Sequence, residues 1–310
     1  MLSSLRSPFS NLEITRIGFG GEQLGLHNWG NVSLSDLEFS VNRAIDVGIN
    51  YFDTADVYGL GLAEKNLSLF LGKRRKDIRI ITKFGVRFRG SHKFYDNSKK
   101  WINEALELSL RRLRTDYIDF YQLHYWDQRT SFDDIHEVLL RKMEEGKILE
   151  YGFSNTSYSD LEKSIFFLKN ASFCSYEFSL ANDKHNNDIS KMYDKMFLAY
   201  GCLGQGILTG KYNEFTIYSS NDRRANSKYA NFHGDKLLKN LKIVSTLKAI
   251  AETHNVTPSI VALRFVLQFF PNSSIICGMK NQSQVDENIK VFDLNLSETE
   301  MKNLISISYE

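Results

Sequence analysis

The sequence predicts an α/β protein, a (β/α)8 TIM barrel that forms a single domain over residues 1–310. Eight apolar segments that resemble strands recur along the chain and alternate with segments of helical periodicity. A barrel of this class usually takes about 250 residues. Most of the apolar segments are near-continuous, which is typical of parallel strands covered on both faces. They are residues 14–20, 50–56, 78–84, 118–124, 148–155, 172–180, 196–203 and 273–279.

The helical segments begin and end at residues that favour helix termini. The first begins at Ser33, three residues before Asp36 in the spacing of a capping box, and it ends at Gly48. Pro258 lies in the first turn of the last one. We also expect an N-terminal hairpin and one extra helix before the last βα unit. The helical segments are 33–49, 98–116, 132–147, 159–170, 236–255 (the extra helix) and 257–269.

An open, doubly wound sheet is the structural alternative to a barrel. Such a sheet usually binds a dinucleotide at a Gly-x-Gly-x-x-Gly turn, and no such motif follows any predicted strand. The polar segment 212–235 has no clear period. A loop of that length in a compact domain is usually functional or mobile.

Charge, apolar stretches and cysteine spacing argue against nucleic-acid or membrane partners and against secretion. The 39 Lys and Arg residues nearly balance the 37 Asp and Glu residues, so the net charge of +2 gives no reason to expect nucleic acid or an anionic membrane as a partner. No apolar stretch suits a secretory signal or a membrane-spanning helix. The three cysteines are far apart, which fits buried thiols rather than disulfides or a zinc site. We therefore expect a cytoplasmic protein.

Polar side chains end four consecutive predicted strands. Asp53 ends the second, Lys83 the third, His124 the fourth and Ser154-Asn155 the fifth. The active site of a barrel lies at the C-terminal ends of its strands. Because charged side chains are rarely buried in a barrel without a partner, we expect these residues to converge.

The residue types suggest what such a cluster can do. An Asp53–Lys83 ion pair would keep the ammonium group charged, and this charge beside Tyr58 would lower the tyrosine pKa from about 10. Tyr58 could then give a proton to a carbonyl oxygen near neutral pH, while His124 orients that oxygen. Taken singly, each residue also fits a structural role: a turn cap, an exposed strand end, a packing tyrosine or a core histidine.

The motifs around these residues resemble those of the aldo-keto reductase family. They occur in family order from about residue 12 to 305, and the succession DTADVYG, TK and QLH is quite specific. The matching segments are IGFGG (17–21), NYFDTADVYG (50–59), ITKFG (81–85), YIDFYQLH (117–124), YGFSN (151–155), LAYGCLGQGILTGKY (198–212) and CGMKNQSQVDEN (277–288).

The resemblance implies a catalytic tetrad of Asp53, Tyr58, Lys83 and His124. It also implies a nicotinamide cofactor that lies extended across the barrel mouth without a Rossmann fold. Lys280 would meet a 2′-phosphate, which favours NADPH over NADH. The implied cofactor-binding residues are Ser154, Asn155 and Ser175 at the carboxamide; Tyr200 at the nicotinamide ring, followed by Gly201; Leu203, Gly204, Gln205, Gly210 and Lys211 at the pyrophosphate; and Gly278, Lys280, Gln284, Glu287 and Asn288 at the adenosine.

The sequence departs from the family pattern beside this groove. Ser175 stands where a Gln often supports the carboxamide, which would weaken that anchor. Gly201 and Cys202 replace a common Ser-Pro, which bears on the backbone path at the pyrophosphate, and Cys277 replaces a common Pro. None of these positions belongs to the tetrad.

Three loops resemble the family least, and they would select the substrate. Trp29, Tyr125 and Trp126 lie in the first two of them and are candidate substrate-pocket residues. The alternative is that these aromatic side chains pack the loops onto the barrel. The loops are residues 22–32, 125–133 and 212–235.

The function that follows is NADPH-dependent reduction of an aldehyde, a ketone or a keto-sugar. The aromatic and arginine content of the loops suggests a sugar or a nucleotide-linked sugar as the small-molecule substrate. The family also implies an alternative, a cofactor-binding regulatory subunit of the potassium-channel β type. A third interpretation is a barrel hydrolase or lyase that uses Asp53 and His124.

Overall fold

Eight parallel strands close into a barrel, as the sequence predicts. The computed structural model of the chain describes residues 2–27, 29–30, 32–219 and 222–309, residue 309 by its backbone alone. The predicted loops 22–32 and 212–235 each contain two positions that lie outside the described residues, namely 28, 31, 220 and 221.

The barrel is one of three sheets in the described part of the chain. It consists of β3, β4, β5, β8, β9, β10, β11 and β12, in that order, and β12 pairs with β3 to close it. β1 and β2 form the predicted N-terminal hairpin, and β6 and β7 form a second antiparallel ribbon. The strands are β1 (Ser4–Arg6), β2 (Glu13–Thr15), β3 (Ile17–Gly20), β4 (Tyr51–Asp53), β5 (Arg79–Phe84), β6 (Val86–Arg89), β7 (His92–Tyr95), β8 (Ile118–Leu123), β9 (Ile148–Ser154), β10 (Phe173–Glu177), β11 (Met196–Tyr200) and β12 (Ser273–Gly278).

Helices connect the barrel strands and cover their outer faces, and α8 is the predicted extra helix before α9. Serine side chains cap α1, α3 and α4, where Ser33, Ser98 and Ser131 each accept from the backbone N–H three residues later. No helix in the described residues combines the length and apolarity needed to cross a membrane. The helices are α1 (Leu34–Asp46), α2 (Leu62–Leu71), α3 (Lys99–Leu113), α4 (Phe132–Glu144), α5 (Tyr158–Leu161), α6 (Ile165–Asn170), α7 (Asn186–Ser190), α8 (Gly234–Thr253), α9 (Pro258–Phe269), α10 (Gln282–Asn288) and α11 (Glu298–Tyr309).

Two predicted segments are each divided into two elements. The predicted strand 14–20 is divided at Arg16, whose guanidinium group donates to two backbone carbonyls of the last barrel unit at 2.8 and 2.9 Å. The chain passes there from the hairpin into β3. The predicted helix 159–170 is divided at Ser164, whose side chain accepts from the Phe167 N–H and begins α6.

The hairpin closes the end of the barrel at which the strands begin. Leu5 and Ile14 pack there against interior side chains that include Tyr51 and Phe173. The cavity described below lies at the opposite end, where the strands finish.

Candidate active site

A cavity of about 770 Å³ opens at the C-terminal ends of the barrel strands. Its volume lies within the range of about 300–1,000 Å³ that is usual for ligand pockets. Asp53, Tyr58, Lys83 and His124 all line it, although they come from separate strands and loops. The fold therefore brings the four predicted catalytic residues into one site.

Three oxygen atoms hold the ammonium group of Lys83. Nζ lies 2.8 and 2.7 Å from the carboxylate oxygens of Asp53 and 2.7 Å from the carbonyl oxygen of Thr54. The two charged side chains are only 5 and 7% exposed. Burial raises the pKa of Asp53, and the ammonium group of Lys83 opposes that rise. The pair keeps both charges in the interior because each compensates the other.

The Tyr58 side chain lies beside this ion pair, with its ring centre 5.2 Å from Lys83 Nζ. The prediction that Lys83 lowers the tyrosine pKa is wrong. The pKa of Tyr58 lies well above 10, because the surrounding protein desolvates the hydroxyl group and because Asp53 and then Glu22 disfavour a phenolate. The charge of Lys83 is already balanced by Asp53. Tyr58 is therefore a protonated acid throughout the neutral range.

His124 is a neutral imidazole in the same range. Burial, and then the positive charges of Lys83 and Lys93, place the pKa of His124 well below 6.5. Its ring meets the Tyr58 ring edge to face, with 6.0 Å between the centres. Its Nδ1 is buried and has no hydrogen-bond partner among the described residues. A neutral imidazole carries one donor and one acceptor, so His124 can hydrogen-bond a carbonyl oxygen beside Tyr58.

Ser154, Asn155 and Tyr200 form a hydrogen-bonded chain next to His124. The Tyr200 hydroxyl donates to Asn155 Oδ1 at 2.5 Å. Asn155 Nδ2 donates to Ser154 Oγ at 2.8 Å and to the His124 carbonyl oxygen at 3.3 Å. Asn155 has a left-handed φ of 55°, which asparagine tolerates better than most residues. The chain fixes the Tyr200 ring at the cavity wall.

Ser175 is supported by a residue that the sequence did not indicate. Gln122 Nε2 on β8 donates to Ser175 Oγ at 2.7 Å. Gln122 is fully buried, whereas Ser175 lines the cavity. Because the serine oxygen accepts from Gln122, its own O–H is free to donate towards the cavity. Gln122 thus orients Ser175, the residue at which the sequence predicts a weakened anchor for the carboxamide.

The turn after β11 follows a backbone path that requires glycine. Gly201 has a φ of 66°, and a Cβ there would lie 2.9 Å from Glu177 Cγ. Gln205 donates to Glu177 Oε1 at 2.8 Å and accepts from Asn231 Nδ2 at 2.8 Å, which holds the turn in place. Lys211 lines the same part of the cavity. A turn of exposed backbone beside a lysine suits a phosphate group.

Lys280 also lines the cavity. Its backbone N–H donates to Gln284 Oε1 at 2.7 Å, and its Nζ donates to the Trp29 carbonyl oxygen at 2.7 Å. Burial, and then the nearby positive charge of Arg224, lowers the pKa of Lys280. Lys280 and Arg224 thus stand near each other with one carboxylate, Asp222, between their charges, and the net positive charge suits a second phosphate group.

Two loops meet across the mouth of the cavity. Trp29 forms an isolated antiparallel bridge with Asp222. Arg223 stacks on Trp29, with 4.3 Å between its guanidinium carbon and the ring centre, and it forms an ion pair with Glu22. Arg224 pairs with Asp222 at 2.5 Å. The second loop, predicted only to be long and polar, thus supplies two arginines to the cavity wall.

Three predicted site residues do not line the cavity. The Trp126 ring stacks on Phe132 at 4.7 Å, and its Nε1 donates to the Thr130 carbonyl oxygen. Gly204 and Gly210 belong to the turn after β11 but not to the wall. The predicted residues on the wall are Trp29, Asp53, Tyr58, Lys83, His124, Tyr125, Ser154, Asn155, Ser175, Tyr200, Gly201, Leu203, Gln205, Lys211, Gly278, Lys280, Gln284, Glu287 and Asn288.

Glu22, Arg223 and Arg224 line the cavity without having been predicted. The Asp-Arg-Arg run at 222–224 inside a long aromatic loop was a usable signal for the two arginines. Glu22 follows the first barrel strand by two positions, where strand-end reasoning also applies.

Known proteins are similar to this chain in sequence and in fold. A model of the Aldo/keto reductase family matches residues 16–308. The aldo-keto reductase yakc of Schizosaccharomyces pombe, whose name carries NADP(+), is 29% identical over 304 residues, 95% of this chain and 88% of that protein. The uncharacterized oxidoreductase YqkF of Bacillus subtilis is 31% identical over 304 residues, 96% of this chain and 94% of that protein. The structure of the glycerol dehydrogenase AKR11B4 from Gluconobacter oxydans matches with a TM-score of 0.87 at 28% identity, over 98% of this chain and 94% of its own.

Proposed function

The chain belongs to the aldo/keto reductase family, and from this premise we propose that it reduces the carbonyl group of a small molecule to an alcohol with NADPH, using Tyr58 as the proton donor. The observation that carries the proposal is the convergence on one cavity of a buried ion pair, a protonated tyrosine and a neutral histidine. These are the groups that a proton transfer to a carbonyl oxygen needs.

Tyr58 has the properties of the acid in this reaction. NADPH, when bound, supplies the hydride that the carbonyl carbon accepts. The raised pKa of Tyr58 keeps the proton on its hydroxyl until negative charge develops on the substrate oxygen, which then takes that proton. The Lys83 ammonium group, 5.2 Å from the ring centre, offsets the charge of Asp53, which would otherwise disfavour the remaining phenolate more strongly. Asp53 holds Lys83 in that position.

His124 orients the carbonyl group. As a neutral imidazole on the cavity wall, it offers the substrate oxygen a hydrogen bond without competing for the proton of Tyr58. Its contact with the Tyr58 ring keeps the two groups on the same side of the cavity. The substrate oxygen would therefore lie between them.

The remaining wall residues suit the parts of NADPH in order. Ser154, Asn155 and Ser175 offer hydrogen-bonding groups for the carboxamide, and Tyr200 offers an aromatic face for the nicotinamide ring. The glycine turn with Lys211 suits the pyrophosphate. The proposed contacts of the pyrophosphate and adenosine are Gly201, Leu203, Gln205, Lys211, Gly278, Lys280, Gln284, Glu287 and Asn288. Gly204 and Gly210 shape the turn after β11 without reaching the cavity wall.

We propose NADPH rather than NADH because of the charge at the adenosine end. Lys280 and Arg224 stand close enough for the arginine to affect the lysine pKa. Lys280 and Arg224 face one carboxylate, Asp222, so the cluster keeps a net positive charge. This charge favours the 2′-phosphate that NADPH has and NADH lacks. The name of the relative yakc, which carries NADP(+), agrees with this preference.

The substrate side of the cavity suits a neutral hydroxylated molecule. Lys83 is paired with Asp53, and Arg223 is paired with Glu22, so neither cation is left uncompensated for an anionic substrate. The Trp29 ring provides an apolar face, and the Glu22–Arg223 pair provides acceptors and donors for hydroxyl groups. We therefore propose a free sugar aldehyde or keto-sugar as the substrate. A nucleotide-linked sugar, which the sequence also suggests, carries phosphate charges and fits these compensated cations less well.

We further propose that residues 1–310 act as one domain in the cytoplasm. All three cysteines are buried free thiols, which suits a reducing compartment. Neither nucleic acid nor a membrane is part of the proposal.

The test is a screen of aldehydes, ketones and sugars that follows the loss of NADPH absorbance. Tyr58→Phe should abolish reduction, while NADPH binding, measured by tryptophan fluorescence, persists. Tyr193→Phe changes a tyrosine that is 84% exposed and serves as the matched control. Unchanged turnover in Tyr58→Phe would overturn the proposed mechanism. Tight NADPH binding without reduction of any substrate would favour the regulatory-subunit alternative, and absence of NADPH binding would favour a hydrolase or lyase.

A further inference from the structure

The segment that carries Tyr58 is bound to β5 at both of its ends. At its start, Lys83 on β5 holds Asp53 through both carboxylate oxygens. At its end, Glu64 in the first turn of α2 accepts a hydrogen bond from Thr82 Oγ1 at 2.6 Å. Two successive residues of one strand therefore anchor the whole segment from Asp53 to Glu64, here called the Tyr58 segment.

The second anchor lies on the outer face of the barrel, away from the cavity. Thr82 and Lys83 point to opposite faces because successive strand residues alternate. Tyr121 on β8 is the cross-strand partner of Thr82. Glu64 is fully buried, and its second carboxylate oxygen lies 2.5 Å from Arg112 Nε on α3. One hydroxyl and one guanidinium group thus hold a carboxylate that water does not reach.

The Tyr58 segment contains a turn that needs external support. Gly59, Leu60 and Gly61 all have left-handed φ values, of 56, 54 and 90°. Leu60 is not a glycine, so its backbone is strained, and its side chain is 74% exposed and packs little. Gly61 also leaves space for the Arg112 side chain, because a Cβ there would lie 2.6 Å from Arg112 Cδ.

Arg112 also faces a second carboxyl group of the same segment. Asp56 Oδ1 is buried and has no partner among the described residues. Burial, and then the carboxylate of Glu64, raise the pKa of Asp56 well above its usual value, and Arg112 opposes this rise. Arg112 therefore pairs directly with Glu64, and burial disfavours the charged form of Asp56 beside them.

We propose that Glu64 is a positioning residue for Tyr58, acting through Thr82 and Arg112. The inference rests on the proposed function, because it concerns the placement of the proposed proton donor. Without the second anchor, the strained turn can relax, and the Tyr58 hydroxyl moves relative to His124. A misplacement of about 1 Å can lower a reaction rate by about a hundredfold.

A pair of substitutions at Thr82 tests this role. Thr82→Val removes the hydroxyl at nearly constant shape, whereas Thr82→Ser keeps it. We expect Thr82→Val to lower kcat about tenfold with the Kd for NADPH changed less than about twofold, and Thr82→Ser to stay within about twofold of the wild type in both. Glu64→Gln should behave like Thr82→Val. Glu137→Gln, in an exposed ion pair with Lys99, is the matched control that should change neither.

Amide hydrogen exchange provides a readout that does not depend on catalysis. In Thr82→Val, residues 54–62 should exchange at least about tenfold faster, while residues 173–177 of β10 and 196–200 of β11 exchange as in the wild type. If Thr82→Val and Thr82→Ser show the same kcat and the same exchange, the inference is overturned, even when Tyr58→Phe is inactive. If exchange changes as expected but the wild type reduces no carbonyl, the anchor stands and the proposed function fails.

Discussion

Lys83 and Asp53 form an ion pair in which both carboxylate oxygens lie within 2.8 Å of the ammonium nitrogen, and both side chains are almost fully buried. Removal of one partner from such a pair leaves an uncompensated charge in the interior. The stability of the barrel therefore depends on the same pair that the proposed mechanism uses.

We expect Lys83→Met to lower the free energy of unfolding by about 3–5 kcal/mol, in addition to abolishing reduction. The double variant Lys83→Met/Asp53→Asn should regain part of that loss, because no charge stays buried. Urea unfolding measures the free energy of unfolding of the single and the double variant. Lys100→Met, at a side chain that is 86% exposed, is the control. A double variant no more stable than Lys83→Met would contradict the explanation.

The activity should depend on pH differently in the two directions of the reaction. The pKa of Tyr58 is well above 10 and that of His124 well below 6.5, so neither group changes its charge between about pH 7 and 9. Carbonyl reduction should stay nearly constant over that interval. Alcohol oxidation needs the Tyr58 phenolate and should rise with pH. A steep loss of kcat for reduction between pH 7 and 9 would contradict the raised tyrosine pKa.

His124 should also make folding stability sensitive to acid. Because the lowered pKa keeps the folded imidazole neutral, the unfolded chain binds the extra proton below about pH 6.5. The stabilising contribution is full above that pH and is lost progressively as the pH falls towards the folded pKa. The Tm of the wild type should therefore fall more steeply from pH 7 to 5 than that of His124→Gln. An equal fall of Tm with pH in the two proteins would mean that the imidazole of His124 is protonated in the folded state.

Lys280 should decide between the two cofactors. Lys280→Met removes one of the two cations at the adenosine end, so the KM for NADPH should rise about tenfold or more. The KM for NADH should change less than about threefold, because NADH lacks the 2′-phosphate. Lys302→Met, at a lysine on α11 that is 78% exposed, is the control. An equal rise in the KM for NADPH and for NADH would mean that Lys280 contacts a part of the cofactor that both share.

The Glu22–Arg223 pair should select hydroxylated substrates. Glu22→Gln keeps the shape but removes the negative charge, which leaves Arg223 uncompensated beside the substrate. We expect kcat/KM to fall about tenfold for a neutral sugar aldehyde and to rise for a phosphorylated one. The kcat/KM for simple aldehydes of the same chain length, which have no hydroxyl groups, reports the separate effect of Glu22 on Tyr58, and the change for the two sugars is taken relative to it. Steady-state kinetics with these three substrates provide the comparison.

The residues that the sequence predicted well are those whose position follows from the strands alone. Asp53, Lys83 and His124 end apolar runs, and the parallel register brings strand ends to one side of a closed barrel. All eight predicted barrel strands occur, and the family motifs match a chain that superposes on a solved family member. Local pattern was sufficient for this part of the site.

The parts that the sequence did not predict depend on contacts between distant segments. The support of Ser175 by Gln122 spans 53 residues, and the pairing of Arg223 with Glu22 spans 201. The tyrosine pKa was predicted in the wrong direction because the argument counted the charge of Lys83 but not the desolvation of Tyr58. Burial is a property of the whole packed interior, and residue spacing does not measure it.

Closure of the barrel also bears on aggregation. A closed sheet has no unpaired strand edge, so among the described residues free edges remain only in the short β1–β2 and β6–β7 ribbons. The second ribbon carries basic side chains, and charged side chains on an edge discourage pairing with strands of another molecule. None of these side chains lines the cavity, and their position on a free strand edge disfavours edge-to-edge pairing between copies of the protein. They are Arg87, Arg89, His92 and Lys93.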